Sequence, residues 1–149
     1  MRSGRNFSPE KTQAAILAIR LSVGTVFLME GIKKIIFAQQ WGAGRFVRIG
    51  IPAPHVMGPF VGVVEITCGI LVLLGLRTSL ASIPLLIVIG TAIATTKIPT
   101  LIKSGFWGME DAGRTDYSML MGLIFLLFAG SGSLSLDARL AGKKTAQDG

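Results

Sequence analysis

The sequence predicts an all-α integral membrane protein, a four-helix bundle with short amphipathic, interfacial segments between the helices. Three observations carry the prediction. Half of the residues are hydrophobic and only 15% are charged, with a mean hydropathy of +0.62, a balance too apolar for an ordinary soluble domain. Four apolar runs are separated by proline, glycine and charge. One of those runs carries glycines at helical spacing around a single glutamate. At ~20 residues per apolar span, 149 residues accommodate about four helices in one domain, with no room for a soluble one beside them.

The first span covers about residues 14–38. It is preceded by NFSPEK, in which Ser8 is placed to cap, Pro9 to occupy the first helical position and Glu10 to face the helix dipole. The second, about 58–76, follows the loop GIPAP at Gly50 to Pro54 and stops at Arg77. The third, about 79–98, stops before Pro99 and holds Pro84 in its first two turns, where a proline costs least. The fourth, about 117–135, has Asp116 as its expected N-cap and ends in GSGSLSL. A basic tail, 137–149, is expected to lie along the interface. The first run is too long, and too interrupted by Arg20 and Glu30, to be a cleavable signal.

An even number of spans puts both termini on one side. Basic residues then count seven on the terminal side (Arg2, Arg5, Lys11, Arg77, Arg139, Lys143, Lys144) and seven on the other (Lys33, Lys34, Arg45, Arg48, Lys97, Lys103, Arg114). Setting aside Lys33, Lys34 and Lys97 as internal leaves seven against four, which favours cytoplasmic termini. The net charge of +7 does not point to nucleic acid, because the Lys and Arg residues gather at span ends rather than in one stripe. The lone Cys68 lies in an apolar run, so neither an intrachain disulfide nor a dithiol pair is possible, and it reads as a packing residue.

The ionisable residues inside the runs are the candidate site. At ~1.5 Å per residue Glu65 lies about 3 Å from the midplane and Glu30 about 6 Å, both on the side away from the termini. Lys33 and Lys34 lie above Glu30, while Lys97 closes the third span and Asp116 opens the fourth at a similar level. Glu30, Lys34, Glu65, Lys97 and Asp116 are therefore the expected ligand-binding set, and Glu65, the deepest charge, is the best catalytic candidate. On the first helix Arg20, Glu30 and Lys34 share an arc of roughly 80° with Gly24, Phe27 and Gly31, whereas Lys33 points elsewhere. On the second, Gly58, Gly62, Glu65 and Gly69 share one face, and Gly90, Ala94 and Lys97 repeat the spacing on the third. Three glycine-lined faces are thus expected to form a protein-facing interior. Arg20 lies toward the termini, and its expected partner is Asp137, as a structural charge pair. Trp41 and Trp107 read as interfacial belt residues. His55 alone cannot ligate a haem on both faces, and no metal site is expected.

The succession RLSVGTVFLMEGIKKI, GIPAP, VGVVEITCGILVLLGLRTSLAS, TTKIP, GFW and DYSMLMGLIFLLFAGSGSLSLDARL resembles the DoxX family of small membrane proteins over about residues 16–140. Its most specific pieces are Glu65 with Gly69, the following LLGLRT, and GSGSLSLD. The resemblance implies a bacterial cytoplasmic-membrane four-helix bundle with both termini inside. It also implies association with oxidoreductase systems, since the related DoxD type looks like a membrane subunit of a thiosulfate:quinone oxidoreductase. Many members have a histidine where this chain has Glu30 and another where it has Lys97, so haem or metal chemistry does not carry over; Glu65, Lys33 and Asp137 match more directly.

Three functions compete on these grounds. The first is a membrane subunit that binds quinone or another lipid-soluble redox partner, with no covalently bound cofactor and with electrons supplied by a peripheral oxidoreductase subunit. There Lys34 or Lys97 would donate to a quinone carbonyl and Glu65 would deliver protons. The second is a small proton-coupled transporter, which four spans would serve best as a homo-oligomer. The third is a scaffold that recruits soluble redox or detoxification enzymes through its basic tail.

Overall fold

The computed structural model describes residues 8–145 and is all-helical over them, with no strand among the described residues. Arg2 and Arg5 of the charge count lie outside the described residues, as does the side chain of Lys144. The order is α1 (Pro9–Ile36), α2 (Ala43–Arg48), α3 (Pro54–Leu74), α4 (Thr78–Ala92), a π-helical turn (Ile93–Lys97), α5 (Ile98–Ala129) and α6 (Leu136–Thr145). Three stretches are long and apolar enough to cross a membrane: Pro9–Ile36, Pro54–Leu74 and the continuous Thr78–Ala129.

α1 begins earlier than the apolar run because Pro9 sits at its start and Glu10 in its first turn, where a negative charge suits the exposed amides. Ser8 occupies the cap position in an extended conformation, yet its side chain makes no capping hydrogen bond. α3 begins at Pro54 and stops at Leu74, two residues short of the expected end. Gly75 there takes φ +71°, and the Leu76 amide returns to the Leu71 carbonyl at 2.9 Å. The loop between α1 and α3 folds into α2, which buries Ala43 and Phe46.

The largest departure from expectation follows α4. The sequence predicts a stop before Pro99, but the helix continues through it. Pro99 falls in the first turn of α5, and the preceding turn widens so that the Ile98 amide bonds to the Ile93 carbonyl. Thr91, Thr95, Thr96 and Thr100 each donate a hydroxyl to the carbonyl four residues back, which gives this stretch a second set of local bonds. The 52 residues of Thr78–Ala129 would span ~78 Å if straight, more than twice a ~30 Å hydrocarbon core. They are not straight. Gly105 has φ +73° and ψ −174°, a conformation open essentially to glycine, and the helix turns back there. Lys97 consequently meets Ala112 and Asp116, and the Ser79 hydroxyl lies 3.5 Å from the Leu126 carbonyl. Asp116 is therefore not the expected N-cap: it lies well inside α5, and its carboxylate turns to Lys97.

The core joins Ile16, Val23 and Phe27 of α1 to Cys68 and Val72 of α3, Leu85 and Ile89 of α4, and Leu123 and Leu126 of α5. Large apolar side chains such as Ile87 and Phe128 stay outside it, as lipid contact requires. α1 and α3 pack backbone to backbone: a Cβ on Gly31 would fall 2.6 Å from the Gly62 carbonyl oxygen, and one on Gly69 would fall 3.1 Å from that of Gly24. The glycine face expected on the third span is not used this way. Gly90 is exposed, and nothing lies within 4 Å of where its Cβ would be.

Candidate functional site

The close α1–α3 approach sets Lys34, one turn beyond Gly31, against Glu65, one turn beyond Gly62. Lys34 Nζ lies 3.0 Å from Glu65 Oε1 and 2.7 Å from Oε2, so the ammonium sits on the carboxylate between two membrane-length helices. The pair continues along α1. Lys34 Nζ is 3.9 Å from Glu30 Oε2, and Glu30 pairs in turn with Lys33. Side-chain exposure rises along this series, from 3% at Glu65 through 13% at Lys34 and 35% at Glu30 to 38% at Lys33. Two acids and two bases alternate from the buried carboxylate to the surface, and their formal charges cancel. This neutrality offsets the penalty of burial, because an unpaired charge at such depth costs at least ~2.5 kcal/mol on insertion scales.

Helical phase alone points Lys33 away from the site, yet it closes the series, because residues three apart on a helix are neighbours. Its ammonium also lies 4.9 Å from the Trp41 ring centroid, and the Arg45 guanidinium lies 5.8 Å from it. Trp41 is thus flanked by two cations at the mouth of the site. Arg45, on α2, also lies within electrostatic reach of Glu65. Sequence reasoning misses Arg45 because α2 falls in a stretch that reads as loop, and only its folded path against α3 brings the residue to Trp41 and toward Glu65. Trp107 is exposed and meets Phe106 edge to face at 5.4 Å.

The five expected ligand-binding residues fall into two sets. Glu30, Lys34 and Glu65 lie together between α1 and α3. Lys97 and Asp116 form a second pair at 2.9 Å within the folded-back helix, where Lys97 Nζ also donates to the Ala112 carbonyl at 2.6 Å. Among the described residues no ion pair links the two sets.

At the other end, Arg20 is 2% exposed and turns its guanidinium entirely to backbone. Nε donates to the Val72 carbonyl at 3.0 Å, Nη2 to Leu73 at 2.8 Å, and Nη1 to Ser131 and Leu134 at 2.9 and 2.8 Å. Those carbonyls belong to the last turn of α3 and to the turn after α5, and the Val72 carbonyl also takes the Gly75 amide at 3.2 Å. Asp137, the expected partner, lies within electrostatic reach of Arg20, but its hydrogen bonds go elsewhere. Its Oδ2 accepts the Arg77 amide at 2.7 Å, and its own amide donates to the Gly75 carbonyl at 3.3 Å. The two residues frame the same end of the molecule, with Arg20 clamping carbonyls and Asp137 capping the α3–α4 turn.

A family model described as DoxX matches residues 15–98, which include Arg20, the whole Glu65–Lys33 series and Lys97. The chain belongs to the DoxX family. A relative in Mycobacterium tuberculosis, the uncharacterized membrane protein Rv3486, is 54% identical over 138 residues, covering 89% of this chain and 85% of its own. No solved structure matches. This DoxX protein is accordingly a small membrane protein in contact with the lipid bilayer.

Proposed function

We propose that this DoxX protein is the membrane subunit of an oxidoreductase system of the bacterial cytoplasmic membrane, acting on a quinone or a similar lipid-soluble redox partner. The observation that carries the reading is the alternating series Glu65–Lys34–Glu30–Lys33, which leads from a buried carboxylate to an exposed ammonium. Quinone reduction takes up two electrons and two protons at a site in the membrane. Lys34 would hold the quinone carbonyl by hydrogen bond, and Glu65 would take a proton relayed from the surface through Lys33 and Glu30 and pass it to the quinone, twice for each two-electron reduction. The electrons would come from a peripheral partner protein.

The folded-back Thr78–Ala129 stretch supports reading its two arms as separate crossings, giving four in all with both termini on one side, and the count of basic residues supports the cytoplasm as that side. A proton-coupled transporter would use the same series and is the second reading, favoured by the same gradient of exposure.

Mass spectrometry of organic extracts from protein purified in mild detergent separates them, with wild type beside Glu65→Gln and both normalised to a control membrane protein. Near-stoichiometric quinone in the wild type, lost in a variant of unchanged helicity and elution volume, is the expected result. Equal background levels in both would overturn the quinone reading and turn attention to transport.

A further inference from the structure

At the end of the molecule away from Glu65, a groove of about 660 Å³ runs between α3, α4 and α6. Its walls are apolar, with Cys68 and Leu71 from α3, Leu80 and Pro84 from α4, and Leu140 from α6. Only its rim is charged, by Arg77 and Asp137. We propose that this groove holds one acyl chain of an anionic phospholipid, with the lipid phosphate on the Arg77 guanidinium.

Three features favour this occupant. Length is the first: the α3 wall runs from Cys68 to Leu74, six residues or ~9 Å at 1.5 Å each, and the α3–α4 turn at Gly75 to Arg77 closes its interfacial end. The groove therefore lies within a single leaflet, ~15 Å of hydrocarbon deep, and takes the part of an acyl chain nearest its headgroup. Polarity follows the same axis, being apolar along the depth and charged only at the interfacial end. Charge is the third. Arg77 is exposed, and among the described residues no side chain or carbonyl pairs with its guanidinium; its amide is engaged by Asp137 and its carbonyl by the Ala81 amide. The Asp137 carboxylate is turned to that amide, which leaves the guanidinium as the group at the rim that can meet an anion. α4 begins immediately after Arg77, so its N-terminal amides add to the positive field, and Arg139 stands exposed beside Leu140 on α6.

The test is native mass spectrometry of the delipidated full chain titrated with phosphatidylglycerol or with phosphatidylcholine of the same acyl chains. Wild type should retain one phosphatidylglycerol with about tenfold preference over the zwitterionic lipid, and Arg77→Gln should bring the two within about twofold. Leu80→Trp, which fills the groove from an exposed position, should weaken both lipids in a protein whose thermal unfolding is unchanged. Excess glycerol phosphate should leave the bound lipid in place. Equal retention of the two lipids by wild type would overturn the proposal, as would an undiminished preference in Arg77→Gln. Full displacement by glycerol phosphate would overturn it in favour of a soluble-phosphate site.

Discussion

At the scale of single residues, the two most buried charges hold the molecule in different ways. Glu65 is matched by one flexible ammonium, whereas Arg20 is matched by four fixed carbonyls that suit its planar fork. Arg20→Lys keeps the charge but cannot span carbonyls on two segments, and charge-assisted bonds contribute about 1.5–3 kcal/mol each. The expected outcome is a loss of about 3 kcal/mol or more, read by denaturant unfolding in detergent micelles, with the α1–α3 ion pair intact. For the pair itself, a double-mutant cycle of Glu65→Gln and Lys34→Met should give a coupling above about 1 kcal/mol; additive effects would show that the two side chains do not interact in the membrane. The meeting of Lys34 with Glu65 is legible in the sequence, because depth and helical face follow from rise and period alone. The Arg20 clamp is not. Its partners are backbone carbonyls, which every residue carries, so no side chain announces them.

At the scale of elements, glycine acts in three distinguishable ways. Gly31 is a point of backbone contact, so Gly31→Ala should push α1 from α3 and cost about 1–3 kcal/mol, weakening the Lys34–Glu65 pair with it. Gly90→Ala is the matched control: its Cβ meets open space, and the gain in helix propensity should leave stability unchanged or raise it by up to about 1 kcal/mol. Gly105 is the bend, and Gly105→Ala should cost about 1–3 kcal/mol and loosen Lys97 from Asp116, which crosslinking of cysteines introduced at those two positions would detect. The spacing of Gly58, Gly62 and Gly69 is readable as a contact face, but the same spacing at Gly90 does not discriminate, since a sequence pattern does not say whether a neighbour arrives. Pro99 misleads for a related reason. A proline is compatible with helix wherever its missing amide is not needed, and the widened turn before it supplies that condition.

At the scale of the whole molecule, the charge-balanced interior and the apolar exterior make an orientation that can be measured. With Cys68 replaced by alanine, single cysteines at Ser8 and Lys143 should react with an impermeant thiol reagent from the same side of the membrane, and one at Trp107 from the opposite side. Labelling of Trp107→Cys from the terminal side would refute the two-crossing reading of Thr78–Ala129. Composition alone makes the membrane class readable, because few soluble folds tolerate so little charge. The two apolar runs within Thr78–Ala129 and the shared level of Lys97 and Asp116 are readable too, but the helical link that joins the runs is not, as it turns on one glycine dihedral.

The Arg20 clamp also bears on how the chain is made. The guanidinium enters the bilayer with α1, ahead of the other described helices, but two of its four acceptors, Ser131 and Leu134, lie 111 and 114 residues later. Throughout that interval the ribosome is still adding the partners of a charge already committed to lipid. A nascent chain halted before Ser131 therefore carries a half-answered arginine, with only the Val72 and Leu73 carbonyls to meet it.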